Sequence, residues 1–263
     1  MIIQYKLPFS NYRKVARTYS KMVQFFETPF AKRKTLKHLN GNEIDYRDIP
    51  VIIINFNRFN YLLQLLNWLE NAGMQNIFII DNASSNAPLL DYYSRTKHHV
   101  IRLNVNIGYK AFWDTSIHLW FSGLPYILTD PDVLPVEECP LDAVRFFQEV
   151  LNNYDNINKV GFGLRIDDIP DFYQEKLAVL EWEKKFWEKP ISENLYKADI
   201  DTTFALYRAN SVKQQWGKTL RTGGKYQIRH LPWYVHSDFL TEEELFYREM
   251  TIGSSWYAKQ QVV

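Results

Sequence analysis

The sequence predicts an α/β protein: a mixed, mainly parallel sheet flanked by helices, with a helical N-terminal arm. Three observations lead there. Short β-branched apolar runs alternate with amphipathic stretches four times between residues 51 and 129, the signature of a parallel sheet covered by helices. Each run ends in a cluster of polar residues. The charge is unevenly divided, with residues 1–40 at +8 and the remaining 223 residues at −7.

The arm comes first. Residues 1–40 carry Lys6, Arg13, Lys14, Arg17, Lys21, Lys32, Arg33, Lys34 and Lys37 against a single acid, Glu27. Val15, Tyr19, Met22, Val23 and Phe26 recur at near-helical spacing. Two readings fit: a basic amphipathic helix on an anionic membrane surface, or a helix packed on the body with a solvated basic face. The arm is assigned to residues 1–45 and the main domain to 46–263.

VIIIN (51–55) reads as a buried parallel strand. Leu62, Leu65, Leu66 and Leu69 share one face of a helix over residues 60–72, which Gly73 ends. NIFII (76–80) is the second strand, DNASSN a turn, and 88–96 a short helix. VIRL (100–103) is the third strand, NVNIG a loop, and 111–121 a helix. YILT (126–129) is the fourth strand and runs directly into Asp130-Pro131-Asp132. Beyond it, 141–153 and 172–188 read as helices, 159–166 and 202–208 as strands. RHLPWY (229–234) lies in a loop-rich stretch, and Thr241 with Glu244 forms a capping box that opens a last helix.

Composition narrows the class. The 263 residues suffice for one large α/β domain, or one domain with a short appendage. The single cysteine, Cys139, excludes an internal disulfide framework and a cysteine-rich zinc site. No run approaches ~18 consecutive apolar residues, and the N-terminus lacks a signal peptide's apolar stretch, so a cytoplasmic protein is expected. The 17 Phe, 17 Tyr and 8 Trp fit a well-filled core or aromatic faces for sugars. The acidic body lacks any nucleic-acid reader motif, so nucleic acid is not an expected partner.

Ligands of parallel sheets bind beyond the carboxyl ends of the strands. Here those ends are Asn55–Arg58, Asp81–Ser85, Asn104–Gly108 and Asp130–Asp132. Two carboxylates at i and i+2 on a strand end can reach one hard cation, whose shell substrate phosphates commonly complete. Pro131 stiffens that turn. The competing reading is a turn in which an Asp caps the next element.

These motifs carry a resemblance. VIIINFNR (51–58), FIIDNASS (78–85), NVNIGYK (104–110) and YILTDPD (126–132) resemble, in order, the conserved strand ends of nucleotide-sugar glycosyltransferases of the Rossmann-like GT-A fold, family 2 type. Residues 50–135 carry the match and 135–263 match loosely. Stretches like IDTTFALYR and RHLPWY are similar to a bacterial subgroup that makes surface polysaccharide. The resemblance implies that Asn55 and Arg58 border the base and ribose. Asp81 would accept from a uracil ring, with Asn82 beside it where the family often has a second Asp. Lys110 would lie near the base or pyrophosphate. Asp130 would touch the ribose or a metal-bound water, and Asp132 would ligate Mn²⁺ or Mg²⁺ at the diphosphate. Several members place a late histidine on the metal or diphosphate, which singles out His230, with His236 after it, while Arg229 could pair with phosphate.

A departing nucleoside diphosphate gathers negative charge, which a divalent cation stabilises. The acceptor hydroxyl needs a general base, most simply a carboxylate. The family's usual E-D pair is not evident. The candidates are Asp201 first and Asp199 next, then Asp238 and Glu242–Glu244, which capping of the last helix also explains. An ordinary strand-entry turn is the competing reading of Asp199 and Asp201. Gly223-Gly224 is expected to allow a mobile loop over the donor. Trp182, Trp187, Trp233 and Tyr234 fit either sugar stacking or packing. Asp167-Asp168 reads as a turn.

The expectation is a glycosyltransferase moving a sugar from a nucleotide donor, a UDP-sugar, to a glycan or lipid-linked acceptor in surface polysaccharide synthesis, peripheral at the inner face of the cytoplasmic membrane. The alternatives are an inactive sugar- or nucleotide-binding scaffold of an assembly complex, and a nucleotidyltransferase. The latter would want a Gly-rich basic loop after the first strand, where NFNRFN has no Gly. The missing G-x-G-x-x-G likewise disfavours a dinucleotide enzyme.

Overall fold

The computed structural model describes residues 2–5, 44–211 and 217–251. Their strands are β1 (Ile2–Tyr5), β2 (Val51–Asn55), β3 (Ile77–Asp81), β4 (His99–Leu103), β5 (Tyr126–Thr129), β6 (Val133–Pro135), β7 (Lys159–Leu164), β8 (Pro190–Ser192), β9 (Leu195–Lys197), β10 (Ala205–Tyr207) and β11 (Thr219–His230). They form one sheet in the order β1-β4-β3-β2-β5-β10-β7-β11-β9-β8, with β6 beside β11. From β1 to β5 every pairing is parallel. β10 then runs antiparallel between β5 and β7. β7 and β11 are parallel, while β6, β8 and β9 add antiparallel ladders. The protein is thus α/β with a mixed sheet whose N-terminal half is wholly parallel.

The helices are α1 (Asn60–Asn71), α2 (Ala87–Arg95), α3 (Ala111–Asp114), α4 (Ala143–Asn153), α5 (Lys176–Lys184) and α6 (Glu242–Met250). Leu62, Leu65, Leu66 and Leu69 of α1 are buried, and Gly73 closes it at φ 77°. Asn86 caps α2 by accepting from the Leu89 amide. The helix expected over 111–121 breaks after one turn. The Thr115 hydroxyl bonds back to the Ala111 carbonyl at 2.5 Å, Ser116 turns to φ 64°, and a 3₁₀ turn follows at Ile117–Phe121.

Alternation along the parallel strands fills both faces. Val51, Ile53, Ile77 and Ile79 join one core with α1 and α4. Ile52, Ile54, Phe78 and Ile80 join another with Phe112, Phe121 and Tyr126. Burial on both sides is why these strands read as unbroken apolar runs.

Three further expectations change. Residues 2–5 are an edge strand on β4, so the arm is not helical there; the rest of the 1–40 expectation lies outside the described residues. Gly223-Gly224 sits within β11, at a register shift between Thr222 and Gln227, rather than in a loop over the donor. There Gly224 supplies the φ of 58° that a bulge needs. RHLPWY is partly regular: Arg229 and His230 end β11, and Leu231–Tyr234 form a 3₁₀ turn. Among the described residues no helix is long and apolar enough to cross a membrane.

Candidate functional site

The site is built on the end of β5. Asp130-Pro131-Asp132 leaves this strand and enters β6 at once. β6 pairs antiparallel with the end of β11, setting His230 opposite Val133. The Leu231 amide also donates to the Asp132 carbonyl at 2.8 Å. This ladder brings His230 Nε2 to 3.7 Å from Asp132 Oδ2, although 98 residues separate them in sequence. The His230 ring packs against Trp233. Burial lowers its pKa against the opposing pull of Asp132. Its Nδ1 is buried without a partner.

Asp130 accepts a hydrogen bond from the Thr202 hydroxyl. Burial, and then the neighbouring Asp132, raise its pKa well above the usual carboxylate range. Thr202 reaches it because β10 is antiparallel to β5, so the start of one lies beside the end of the other.

A divalent ion fits part of this set. Asp132 and His230 converge and supply a carboxylate and an imidazole. Asp130, expected as a third ligand, is turned to Thr202 instead. Among the described residues no three His, Cys, Asp or Glu side chains are gathered as a metal shell. Two protein ligands leave most positions to water and substrate oxygens, the usual arrangement for a phosphate-bound hard cation.

The residues expected at the nucleotide lie deeper. Asn55, Arg58, Asp81 and Asn82 are at most 2% exposed. Asn55 donates to the Tyr93 hydroxyl at 2.8 Å, and Asp81 accepts from Arg102 at 3.0 Å. Asn82 accepts from the Ile107 amide at 2.9 Å and donates to the Gly108 carbonyl at 3.0 Å. It thereby fixes the loop that presents exposed Tyr109 and Lys110. The Arg58 guanidinium is bound by Glu244 of α6 and lies 3.4 Å from the centre of the Tyr247 ring. Its Nε stands 4.0 Å from Asp132 Oδ2. Arg58 is committed to α6 rather than open to a nucleotide, because a buried guanidinium needs a carboxylate.

The candidate bases separate. Asp199 accepts from the Gly217 amide at 2.6 Å and from the Thr219 hydroxyl at 3.3 Å, which commits it to the turn before β11. Asp201 is exposed and lines a cavity of about 870 Å³ together with Asp130, Thr202, His230 and Trp233; Asp199 lines it too, but with its carboxylate held by that turn. Asp238 binds Gln174 on the surface. Glu244 is spent on Arg58 and Arg248, and its amide completes the Thr241 cap at 3.2 Å. Arg229 is held by Glu137 and Asp168, so the expected phosphate contact is replaced by a surface ion pair. Asp167-Asp168 is a turn beside it, as expected. His236 stacks on Phe172, away from Asp132.

The sequence reading missed the supports. Lys159 Nζ, fully buried, donates to the Ile200 carbonyl at 2.5 Å and lies 3.2 Å from the Tyr207 hydroxyl. Burial lowers its pKa to about 7, opposed by Asp201 and Asp199. Arg221 pairs with Glu183 at 2.6 Å in the cavity floor. A charged residue inside an apolar run, as in NKVGFGL or TLRTGG, is the one sequence signal that would have drawn attention to them.

No protein-family model and no curated protein matches the chain. Among solved structures, it is similar to the crystal structure of GalNAc-T7 with UDP, GalNAc and Mn²⁺, with a TM-score of 0.42 and 14% identity. The match covers 70% of this chain and 43% of that one, so this chain spans less than half of that structure's length.

Proposed function

We propose that the chain is a metal-dependent glycosyltransferase. It moves a sugar from a nucleotide-diphosphate donor, a UDP-sugar, to a glycan or lipid-linked acceptor in surface polysaccharide synthesis at the inner face of the cytoplasmic membrane. The observation that carries this reading is the meeting of Asp132 and His230 beyond the end of β5, where His230 lines a cavity together with Asp130 and Asp201. The ordered strand-end motifs from Asn55 to Asp132 support it.

Asp132 and His230 would hold Mn²⁺ or Mg²⁺, which when bound supplies Lewis-acid stabilisation of the leaving diphosphate. Asp130, its carboxylate fixed by Thr202, positions the donor sugar between the metal site and the cavity. Asp81 and Asn82 shape the strand ends under the nucleotide, and Lys110 reaches its phosphates from the loop that Asn82 fixes. Asp201 takes the proton of the acceptor hydroxyl as it attacks the anomeric carbon. Trp233 and Trp182 keep water from the cavity walls, limiting hydrolysis of the donor.

The test is calorimetry of UDP with and without Mn²⁺ on the wild type and on Asp132→Ala. Manganese-dependent binding lost in the variant supports the reading. Absence of binding to the wild type, with GDP and CDP also silent, would sink it. The second reading is an inert nucleotide- or sugar-binding protein. It is favoured by the commitment of Arg58 to Glu244 and of Asp81 to Arg102. UDP binding without turnover of any UDP-sugar would select it.

A further inference from the structure

Four consecutive carbonyls, from Ala198 to Asp201, each accept a hydrogen bond from a side chain of β7 or β11. The Thr219 hydroxyl donates to Ala198 at 2.5 Å, and Arg221 Nε donates to Asp199 at 2.7 Å. Lys159 Nζ donates to Ile200 at 2.5 Å and to Asp201 at 3.5 Å. Lys159 and Thr219 are direct partners in the parallel ladder, and Arg221 lies two residues further along β11, on the same face of the strand as Thr219. The backbone groups of an irregular segment must find partners somewhere. Here two neighbouring strands supply them through their side chains.

The three donors do not act at the same place. Thr219 also donates to the Asp199 carboxylate, and Arg221 is bound by Glu183, so both act before Asp201 is reached. Lys159 acts at Asp201 and at the residue preceding it. The same Nζ bonds the Tyr207 hydroxyl at 3.2 Å, which ties the segment to β10. Thr202, next in the chain, donates to Asp130. Lys159 is 0% exposed. Burying an ammonium costs free energy that an apolar side chain of the same length would not. What the ammonium adds over packing is therefore its bonds, and two of them go to the backbone that carries Asp201.

We propose that Lys159 is a positioning residue for sugar transfer: through the Ile200 and Asp201 carbonyls it fixes the backbone from which Asp201 meets the acceptor hydroxyl. It lies behind the reacting groups and touches none of them. A general base has to stand within hydrogen-bond reach of the proton it takes, and a misplacement of about 1 Å can cost about 10²-fold in rate. This rests on the glycosyltransferase reading with Asp201 as the base, and the experiment is chosen to separate the two.

The full chain is assayed with Mn²⁺ and a panel of UDP-sugars, following UDP release with water or a glycan as acceptor. Lys159→Met keeps the length of the side chain and removes the donor. It should lower kcat about 30-fold or more while the Kd of UDP with Mn²⁺, read by calorimetry, stays within about twofold. A double-mutant cycle with Asp201→Asn then asks whether the lysine acts through the carboxylate. The double variant should lose about tenfold less than the product of the two single losses, because little is left to position. Tyr207→Phe leaves both carbonyl bonds in place and should keep kcat within about threefold. Should Lys159→Met fail to fold, Lys159→Gln, one bond shorter and uncharged, is put through the same cycle with the same criteria. Unchanged kcat, single losses that simply multiply, or an equal loss in Tyr207→Phe overturns the inference and leaves the transferase reading. A wild type that turns over no UDP-sugar removes the transferase reading, and this assignment with it.

Discussion

Arg58 and Glu244, 186 residues apart, form an ion pair in which neither side chain is more than 2% exposed. The pair ties the end of β2 to α6, and α6 is tied again where Glu243 accepts from the Asn60 amide at 2.9 Å. Tyr247 covers the guanidinium from the same helix. The last helix is therefore part of the wall behind Asp132.

Breaking this pair is expected to be costly. Glu244→Gln leaves the buried guanidinium with only Asp132, 4.0 Å away, and should lower unfolding free energy by about 3 kcal/mol in denaturant titration. Arg58→Met/Glu244→Leu should recover most of that loss, since it removes both charges. Burial raises the Glu244 pKa, but Arg58 outweighs burial and the net shift is downward. The pair's contribution is thus complete above the ordinary glutamate range and lost as pH falls through the lowered folded value.

Lys159 should leave an alkaline signature. Its folded pKa is about 7, below the unfolded value, so between these values the unfolded chain binds the extra proton. Stability should rise with pH from 7 toward 9.5, with a slope of at most about 1.4 kcal/mol per pH unit. Lys159→Met should flatten the rise. Above the ordinary tyrosine range the trend reverses, because burial raises the pKa of Tyr207 and Tyr126. A wild-type profile already flat from pH 7 to 9 would refute the assignment.

Asp201 and Asp199 should part company in paired assays. Asp201→Asn is expected to lower kcat by about 10²–10⁴ while UDP affinity and melting temperature stay put. Asp199→Ala loses its bonds to Gly217 and Thr219 and should cost about 1–2 kcal/mol of stability. Equal effects of both on kcat would show that neither is the base.

Gly161 of β7 lies opposite Ala205 of β10. A Cβ there would lie 2.7 Å from the Ala205 Cβ. Gly161→Ala should therefore destabilise by about 1–3 kcal/mol through overpacking, read as a lower melting temperature.

The parallel half of the sheet was legible because local rules agree there. Val51–Asn55 and Ile77–Asp81 are buried on both faces and flanked by capped helices, so composition, length and punctuation point one way. The position of Asp130 and Asp132 was legible for the same reason, since they follow such a strand. What could not be read depends on pairing across the chain. Val133–Pro135 is three residues long and becomes a strand only because β11 lies beside it. Pro190–Ser192 and Leu195–Lys197 carry no long apolar alternation. Asp199 and Asp201 look alike in sequence, and hydrogen bonds to residues 217 and 219 are what separate them.

β10 runs against both of its neighbours, and that reversal divides labour along the chain. β1 to β5 stand on one side of it. The segment between β7 and β10 stands on the far side of Asp130, anchored to β11 through Glu183 and Arg221. The hairpin within it is therefore held from one side only, so a change of its length or charge should leave the spacing between Asp132 and His230 unaltered.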